Sequence, residues 1–244
     1  MHRRARHLNP GSAGAKLALD TRFITGLSDT DPVSTWSDRS GNGNDATGSS
    51  TTRPTYETNE QGGQPILRFD GSNDYLSIAD AASLDADTYL QLHIGYSMRQ
   101  SSSVGTLVGK RRTDGGGTFN YAVYSISLAT YCVWGENVNE GLAILSSSET
   151  VNQRYLFDYS YKKNDFKVYR DGVSQATSTL QNTNIDLVPN NTPVLIGSGP
   201  SSNPSLWPAY CDIMFVSFFK DEMSTSLRRR LQHASAFSFK IACS

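Results

Sequence analysis

Carboxylates are the first residues to consider in this chain, because glycoside hydrolysis uses them in pairs. A retaining glycosidase needs two carboxyl groups about 5–5.5 Å apart, and alternate residues of a strand lie on one face at a suitable spacing. No glutamate of this chain is followed by an aspartate two positions later; the glutamates are Glu57, Glu60, Glu136, Glu140, Glu149 and Glu222. The sequence therefore does not predict a paired-carboxylate hydrolase.

Motifs for other reactions are also missing from the sequence. There is no G-x-S-x-G nucleophile turn, no H-E-x-x-H zinc pair and no phosphate-binding Walker loop. Two histidines lie in the basic N-terminal segment, and the other two, His93 and His233, are isolated from each other. From these observations we predict a protein that is not an enzyme and that needs no cofactor.

The cysteines are few and widely spaced. Cys132, Cys211 and Cys243 have neither the spacing of a disulfide framework nor that of a zinc site. The pattern predicts buried or idle thiols. It leaves open one disulfide with a third, free thiol.

Aromatic side chains beside amides and hydroxyls are the candidates for ligand contact. A sugar site needs an aromatic platform with a few polar groups around it. Trp134 lies near Asn137 and Asn139, and Trp207 lies near Tyr210 in the segment NPSLWPAY. We predict these five residues as ligand-binding residues. Core packing is the alternative for Trp134, whereas Trp207 lies in a Pro-, Ser- and Asn-rich loop that favours exposure.

The elements that would position these residues are strands. Short apolar runs alternate with turn signals along the chain, and no βαβ rhythm is present, which favours an antiparallel sheet. Asp171-Gly172 predicts a type I′ hairpin. Ser224 to Ser226 can cap a short helix over residues 227–231, and a closing strand is expected at residues 236–242. The fold class predicted is all-β: a two-sheet antiparallel β-sandwich, or jelly roll, with one short helix near the C-terminus.

The loop WSDRSGNGNDA, residues 36–46, combines one tryptophan with small polar residues. Gly41 and Gly43 permit a positive φ, and the neighbouring Asp, Ser and Asn side chains can bond to their own backbone. We interpret the loop as a device that turns the chain. Ligand or metal contact is the alternative interpretation.

Five motifs in order resemble the laminin-G-like family, whose members are jelly rolls of the concanavalin A-like lectin/glucanase superfamily. They are the loop at residues 36–46, F-D-G-S-N-D-Y at 69–75, Y-R-D-G at 169–172, I-G at 196–197 and D-I at 212–213. The resemblance covers roughly residues 17–244 and implies one domain. Within the second motif, Asp70 and Asp74 either tie a tight turn or bind calcium.

The N-terminal segment differs in composition from the rest. Residues 1–15 carry Arg3, Arg4 and Arg6, and we predict that they form an extended basic arm for assembly, before a domain at residues 16–244. No apolar run of signal-peptide or membrane-helix length follows. The formal net charge of −1 argues against nucleic acid as a partner of the whole chain.

Two functions follow from the resemblance and the arm. The first is a structural or adhesion protein of a phage virion, as capsid decoration, fibre or tail protein with weak glycan binding. Its partners would be other virion proteins, copies of itself and cell-surface glycans. The alternative is a carbohydrate-binding, lectin-like module secreted by a bacterium or held on its surface. Fold alone does not separate them.

Overall fold

The computed structural model describes residues 13–60, 63–101, 104–111, 119–135, 141–199 and 207–239. These residues form two antiparallel sheets of nine strands each and one α-helix. The predicted β-sandwich with one helix near the C-terminus is confirmed. Within the described ranges no helix is long and apolar enough to cross a membrane.

Strands are numbered in order along the chain. The first sheet contains β1 (Leu17–Asp20), β2 (Asp31–Pro32), β5 (Thr55–Glu60), β6 (Gln64–Asp70), β8 (Leu90–Met98), β13 (Arg154–Lys162), β14 (Asp165–Arg170), β15 (Val173–Ser174) and β18 (Tyr210–Phe219). The second contains β3 (Thr35–Trp36), β4 (Ala46–Thr47), β7 (Leu76–Ile78), β9 (Val104–Arg111), β10 (Phe119–Ile126), β11 (Ala129–Trp134), β12 (Gly141–Leu145), β16 (Thr177–Gln181) and β17 (Val194–Ile196). The helix, α1, spans Thr225–Phe239.

The strand order of each sheet determines which strands lie at its centre. The first sheet runs β15-β14-β13-β8-β18-β6-β5-β2, and β1 also pairs with β18. The second runs β16-β12-β11-β10-β9-β17-β7-β4-β3. The core lies between the sheets and is rich in aromatic residues, because alternate residues of each strand point inward. Strand β8 is buried along its whole length.

Helix α1 corrects the expectation of a closing strand. The helix continues through residues 236–239, where a strand was predicted, while residues 240–244 lie outside the described residues. Ala236 and Phe239 are three positions apart, so they share one helical face and pack on Ile66, Leu156 and Met214 of the first sheet. The alternating sequence AFSF suits a strand equally well, and only packing on the sheet decides for the helix.

The predicted type I′ hairpin is confirmed. Asp171 and Gly172 have φ values of 53° and 82°. Arg170 pairs with Val173 across them. The helix cap predicted at Ser224 is also present, since its Oγ accepts from the backbone N–H of Leu227 at 3.2 Å.

The loop at residues 36–46 turns the chain, as its composition predicts. The carboxylate of Asp38 accepts hydrogen bonds from the backbone N–H groups of Ala18 (2.9 Å), Ser40 (2.9 Å) and Asn44 (3.0 Å). Asn44 donates through Nδ2 to the carbonyl of Lys16 at 2.7 Å. The loop therefore ties β1 of the first sheet to the edge of the second.

The predicted arm falls largely outside the described residues, which exclude residues 1–12 and with them Arg3, Arg4 and Arg6. Ala15 is buried and packs in a cluster with Ala18, Phe219 and Leu231. Within the described residues, packing therefore extends to Ala13 and Ala15, the last part of the segment predicted as an arm. The domain boundary and the assembly role of the arm remain predictions.

Candidate functional site

Trp134 lies in the core, so its predicted role as a ligand platform needs correction. Its side chain is 0% exposed and stacks on Tyr161 and Phe166, with ring centroids at 4.6 and 4.9 Å. A ring enclosed on both faces by the core has no surface for a sugar. Asn137 and Asn139, predicted beside it, lie outside the described residues.

Trp207 and Tyr210 are brought to different sheets, although three positions apart in sequence. The carbonyl of Trp207 accepts from the backbone N–H of Thr106 in β9 at 3.0 Å. Tyr210 begins β18 in the first sheet, and the guanidinium of Arg99 lies 5.6 Å from the centre of its ring. The two predicted residues, both within the described ranges, are therefore attached to different sheets, and their rings make no contact with each other.

The structure instead places Trp207 beside two tyrosines that the sequence analysis missed. We name Tyr124, Tyr131, Trp207 and Arg111 the aromatic patch. Tyr124 and Tyr131 stack with centroids 5.0 Å apart and an interplanar angle of 13°. The Trp207 ring lies 6.0 Å from Tyr124 at 31°, and the Arg111 guanidinium carbon lies 5.1 Å from the centre of the Trp207 ring. Trp207 is 36% exposed, and the tyrosines are partly exposed.

A two-residue turn produces the tyrosine pair. Ser127 and Leu128 have φ values of 50° and 67° and connect β10 to β11. Tyr124 and Tyr131 lie equally far from this turn and are directly opposite in the ladder. Ser-Leu is not a sequence typical of such a turn, so the pairing could not be read from turn chemistry. Equal spacing about a recognised turn is the signal that would have found it.

The backbone of Trp207 is strained. Its φ is 62°, in the left-handed region that a bulky side chain rarely adopts. This conformation costs about 1–2 kcal/mol per residue. The hydrogen bond from Thr106, and another from Ala209 to the carbonyl of Gly197 at 2.9 Å, hold the segment against β9 and against the residue that follows β17. Such strain is common at functional sites, where the surrounding structure maintains it.

Asp70 and Asp74 close a turn. The Oδ1 of Asp70 accepts from the backbone N–H groups of Ser72 (2.8 Å) and Asn73 (3.1 Å), and Oδ2 of Asp74 accepts from that of Asp70 (3.0 Å). Burial, followed by the charge of Asp70, raises the pKa of Asp74 to about 6. Turn closure explains both carboxylates. Among the described residues no group of three His, Cys, Asp or Glu side chains is placed to hold a metal, and calcium binding stays a prediction.

The two described cysteines, Cys132 and Cys211, are free and buried. Burial raises the pKa of both thiols well above the usual range, which disfavours the reactive thiolate. Cys243 lies outside the described residues.

A buried polar group under helix α1 contains the residue types of a hydrolytic triad. His93 Nε2 lies 3.0 Å from Ser235 Oγ, and His93 Nδ1 lies 3.4 Å from Asp158 Oδ2. His93 is 1% exposed, and Gln91 also donates to Asp158 at 2.8 Å. Because the helix covers these atoms, we interpret the group as a contact that orients α1 on the sheet.

Comparisons with known proteins place the fold but no family. No family model and no curated protein matches the chain. Among solved structures, Trypanosoma rangeli sialidase in complex with a difluorinated keto-deoxy sugar acid shares 14% identity at a TM-score of 0.64, over 91% of this chain and 33% of that one. The binding domain of Paraclostridial Mosquitocidal Protein 1 shares 10% identity at 0.66, over 93% and 53%. The binding domain of botulinum neurotoxin serotype D shares 10% at 0.62, over 93% and 51%.

These likenesses show a β-sandwich fold. The chain spans about a third of the sialidase and about half of the mosquitocidal binding domain. The resemblance to laminin-G-like proteins agrees with that fold, while membership of the family is not shown. The prediction that the protein is not an enzyme is contradicted, because sialidases are among the structures that share the fold. That likeness is weak at 14% identity. Nothing in the comparisons supports the predicted virion role.

Proposed function

We propose that this β-sandwich is a carbohydrate-binding module and that the aromatic patch is its contact surface. One observation carries the proposal. Trp207 is 36% exposed, and its ring lies beside the stacked pair Tyr124–Tyr131. Large exposed aromatic groups in contact with one another are uncommon on a surface without a binding role.

The chemistry of the patch suits a sugar ring. The C–H face of a pyranose stacks on the electron-rich face of an aromatic ring, and the tyrosine hydroxyls and the indole N–H supply polar partners at its edge. Arg111 adds donors that bond in a plane. Little conformational entropy is lost on binding, because the tyrosines lie on strands and the backbone of Trp207 is hydrogen-bonded to β9.

The structural neighbours support the same proposal. Two of them are named as binding domains, one of a mosquitocidal protein and one of a botulinum neurotoxin, and one sialidase structure contains sialic acid. For this chain we propose binding to glycans at a cell surface, with the protein located outside the cell or on its surface. This is the second of the two functions that the sequence predicts.

A glycan array tests the proposal. We expect the wild-type protein to bind a subset of immobilised glycans, and Trp207→Ala to bind the best of them at least tenfold more weakly. Leu180→Ala is the matched control, because Leu180 is another exposed apolar residue of the same sheet, at 47% exposure. A thermal melt of each variant establishes that it is folded at the assay temperature.

Two results would contradict the proposal. One is a wild-type protein that binds no glycan on the array. The other is a folded Trp207→Ala variant that binds as tightly as the wild type. Tyr131→Ala adds an independent variant on a strand, which should also weaken binding because it removes half of the stacked pair.

A further inference from the structure

A cleft lies away from the aromatic patch, at the other end of the second sheet. It encloses about 290 Å³ between the segment Asp20–Leu27 and the segment Ser34–Arg39. Strand β3 forms part of its wall and is the edge strand, separated by β17, β7 and β4 from the strands of the patch. The cleft and the patch share no residue.

Two aromatic residues, Phe23 and Trp36, line the cleft. Phe23 is 44% exposed, and the guanidinium carbon of Arg39 lies 3.8 Å from the centre of its ring. Trp36 is 1% exposed, and its indole Nε1 has no hydrogen-bond partner among the described residues. Phe23 is therefore the aromatic ring that a ligand can contact, because the Trp36 side chain is almost wholly buried.

The charge of the cleft is positive. Asp20 is the acidic residue of its lining, and Arg22 neutralises it through Nε at 2.9 Å and through a second contact from Nη2. Arg39 has no carboxylate partner among the described residues, and its exposed side chain stands at the cleft. One unneutralised guanidinium remains, and a guanidinium binds a carboxylate with two parallel hydrogen bonds.

Residues with hydroxyl groups form most of the remaining lining, together with Ile24 and Leu27. Ser34, Thr35 and Ser37 line the cleft on exposed chain next to Trp36. Each hydroxyl can donate once and accept twice, which matches the hydroxyls of a sugar better than an apolar ligand. The volume lies just below the roughly 300–1,000 Å³ of sites for drug-sized molecules, so the cleft has room for one ring and not for a chain.

We infer that the cleft binds a single sugar ring that carries a carboxylate. The ring packs against Phe23, and the carboxylate pairs with Arg39. This inference goes beyond the proposed function, because the patch can bind an extended glycan whether or not the cleft is occupied.

The three tryptophans allow each site to be observed separately. Trp36 lines the cleft, Trp207 belongs to the patch and Trp134 is buried in the core. Their indole N–H signals in a ¹⁵N–¹H spectrum are assigned with single Trp→Phe variants. The Trp36 signal reports binding in the cleft, the Trp207 signal reports binding at the patch, and the Trp134 signal is an internal control. The probes are D-glucuronate and, as its neutral match, D-glucose.

We expect D-glucuronate to shift the Trp36 signal to saturation while the Trp134 signal stays in place, and D-glucose to bind at least tenfold more weakly. Arg39→Gln should weaken the response to D-glucuronate at least tenfold. Arg228→Gln is the matched control, because it removes the same charge from an arginine stacked 3.6 Å over Tyr169. It should leave the titration unchanged.

Three results would overturn the inference: no shift of the Trp36 signal, equal binding of D-glucose and D-glucuronate, or an unchanged titration in Arg39→Gln. Failure of the proposed function is read elsewhere, at the Trp207 signal, with a glycan selected on the array. A Trp36 shift without any Trp207 shift supports the cleft and contradicts the patch.

Discussion

The outer faces of the two sheets differ in whether another element covers them. The outer face of the first sheet carries Ile66, Leu156 and Met214, and helix α1 covers it with Ala236 and Phe239. The outer face of the second sheet carries the aromatic patch, whose rings remain partly exposed. The single α-helix of the described residues packs on the first sheet alone.

The difference follows from the side chains. Ile, Leu and Met have no polar handle, so burial beneath a helix is their favourable state. Tyr124, Tyr131 and Trp207 each combine a large apolar body with a hydroxyl or an N–H, which allows them to stay half in water. We conclude that the first face contributes to stability and that the second is suited to contact with a ligand.

Weakening the contact between helix α1 and the first sheet should have the largest effect on stability. Phe239 is 1% exposed and lies 5.2 Å from the ring of Phe215. We expect Phe239→Ala to lower the free energy of unfolding by about 3 kcal/mol, because it leaves a cavity under the helix. Urea unfolding measures the change.

The control for this prediction lies on the other sheet. Leu180→Ala should change the free energy of unfolding by less than about 0.5 kcal/mol, because Leu180 is 47% exposed. If Phe239→Ala costs no more than Leu180→Ala, then the helix does not protect the first face and the contrast between the faces fails.

The sequence predicted the fold better than it predicted the surface of either face. Strand alternation, the Asp171-Gly172 turn and the polar loop at residues 36–46 are local signals, and all three are confirmed. The end of helix α1 depends on Ile66 and Leu156, which are distant in sequence. Local pattern alone could not choose between helix and strand there.

The aromatic patch was predicted only in part, for the same reason. Trp207 could be selected because its neighbours are Pro, Ser and Asn. Tyr124 and Tyr131 read as ordinary strand residues, and the register that stacks them depends on an atypical turn at Ser127 and Leu128. The sequence pointed to Tyr210 instead, since nearness in sequence does not show that two residues belong to different sheets.

A second comparison contrasts two residues with positive φ, one on each sheet. Gly172 lies in the hairpin of the first sheet with a φ of 82°, which glycine adopts without strain. We expect Gly172→Val to lower the free energy of unfolding by more than about 1 kcal/mol, because a β-branched residue is strained in that conformation. Thermal unfolding gives the change.

Gly172→Asn is the matched variant, because asparagine tolerates the left-handed region better than valine does. It should lose less stability than Gly172→Val. Equal losses would mean that added side-chain bulk, and not the backbone conformation, is the cause.

At Trp207 the usual order of alanine and glycine should be reversed. Both substitutions remove the indole, but only glycine relieves the strain of a φ of 62°. We expect Trp207→Gly to be more stable than Trp207→Ala by about 1 kcal/mol, whereas alanine is normally the more stable of the two. Glycan binding should be equally weak in both variants. An alanine variant as stable as the glycine variant would show that the backbone is not strained there.

Both faces depend on the contact between the sheets, and one buried carboxyl spans it. Glu149 is 3% exposed and accepts hydrogen bonds from Tyr96 of the first sheet and Thr130 of the second. Burial raises the pKa of Glu149 above its usual value, although these hydroxyls act in the opposite direction. The folded state therefore binds this proton more tightly than the unfolded state does.

The smallest expected effect is a change in how stability depends on pH. Because the pKa of Glu149 is raised by folding, its contribution to stability is fully present below the ordinary value of 4.5 and is lost as the pH rises through the folded-state pKa. Glu149→Gln keeps an acceptor for Tyr96 and Thr130 but cannot ionise. We expect the melting temperature of this variant, measured relative to wild type, to rise between pH 4.5 and pH 7.5.

Glu222→Gln is the control, since Glu222 is exposed and pairs with Lys162 on the surface. It should show no such rise. A relative melting temperature of Glu149→Gln that stays constant or falls over this range would show that the carboxyl joining the sheets ionises in the folded protein without penalty.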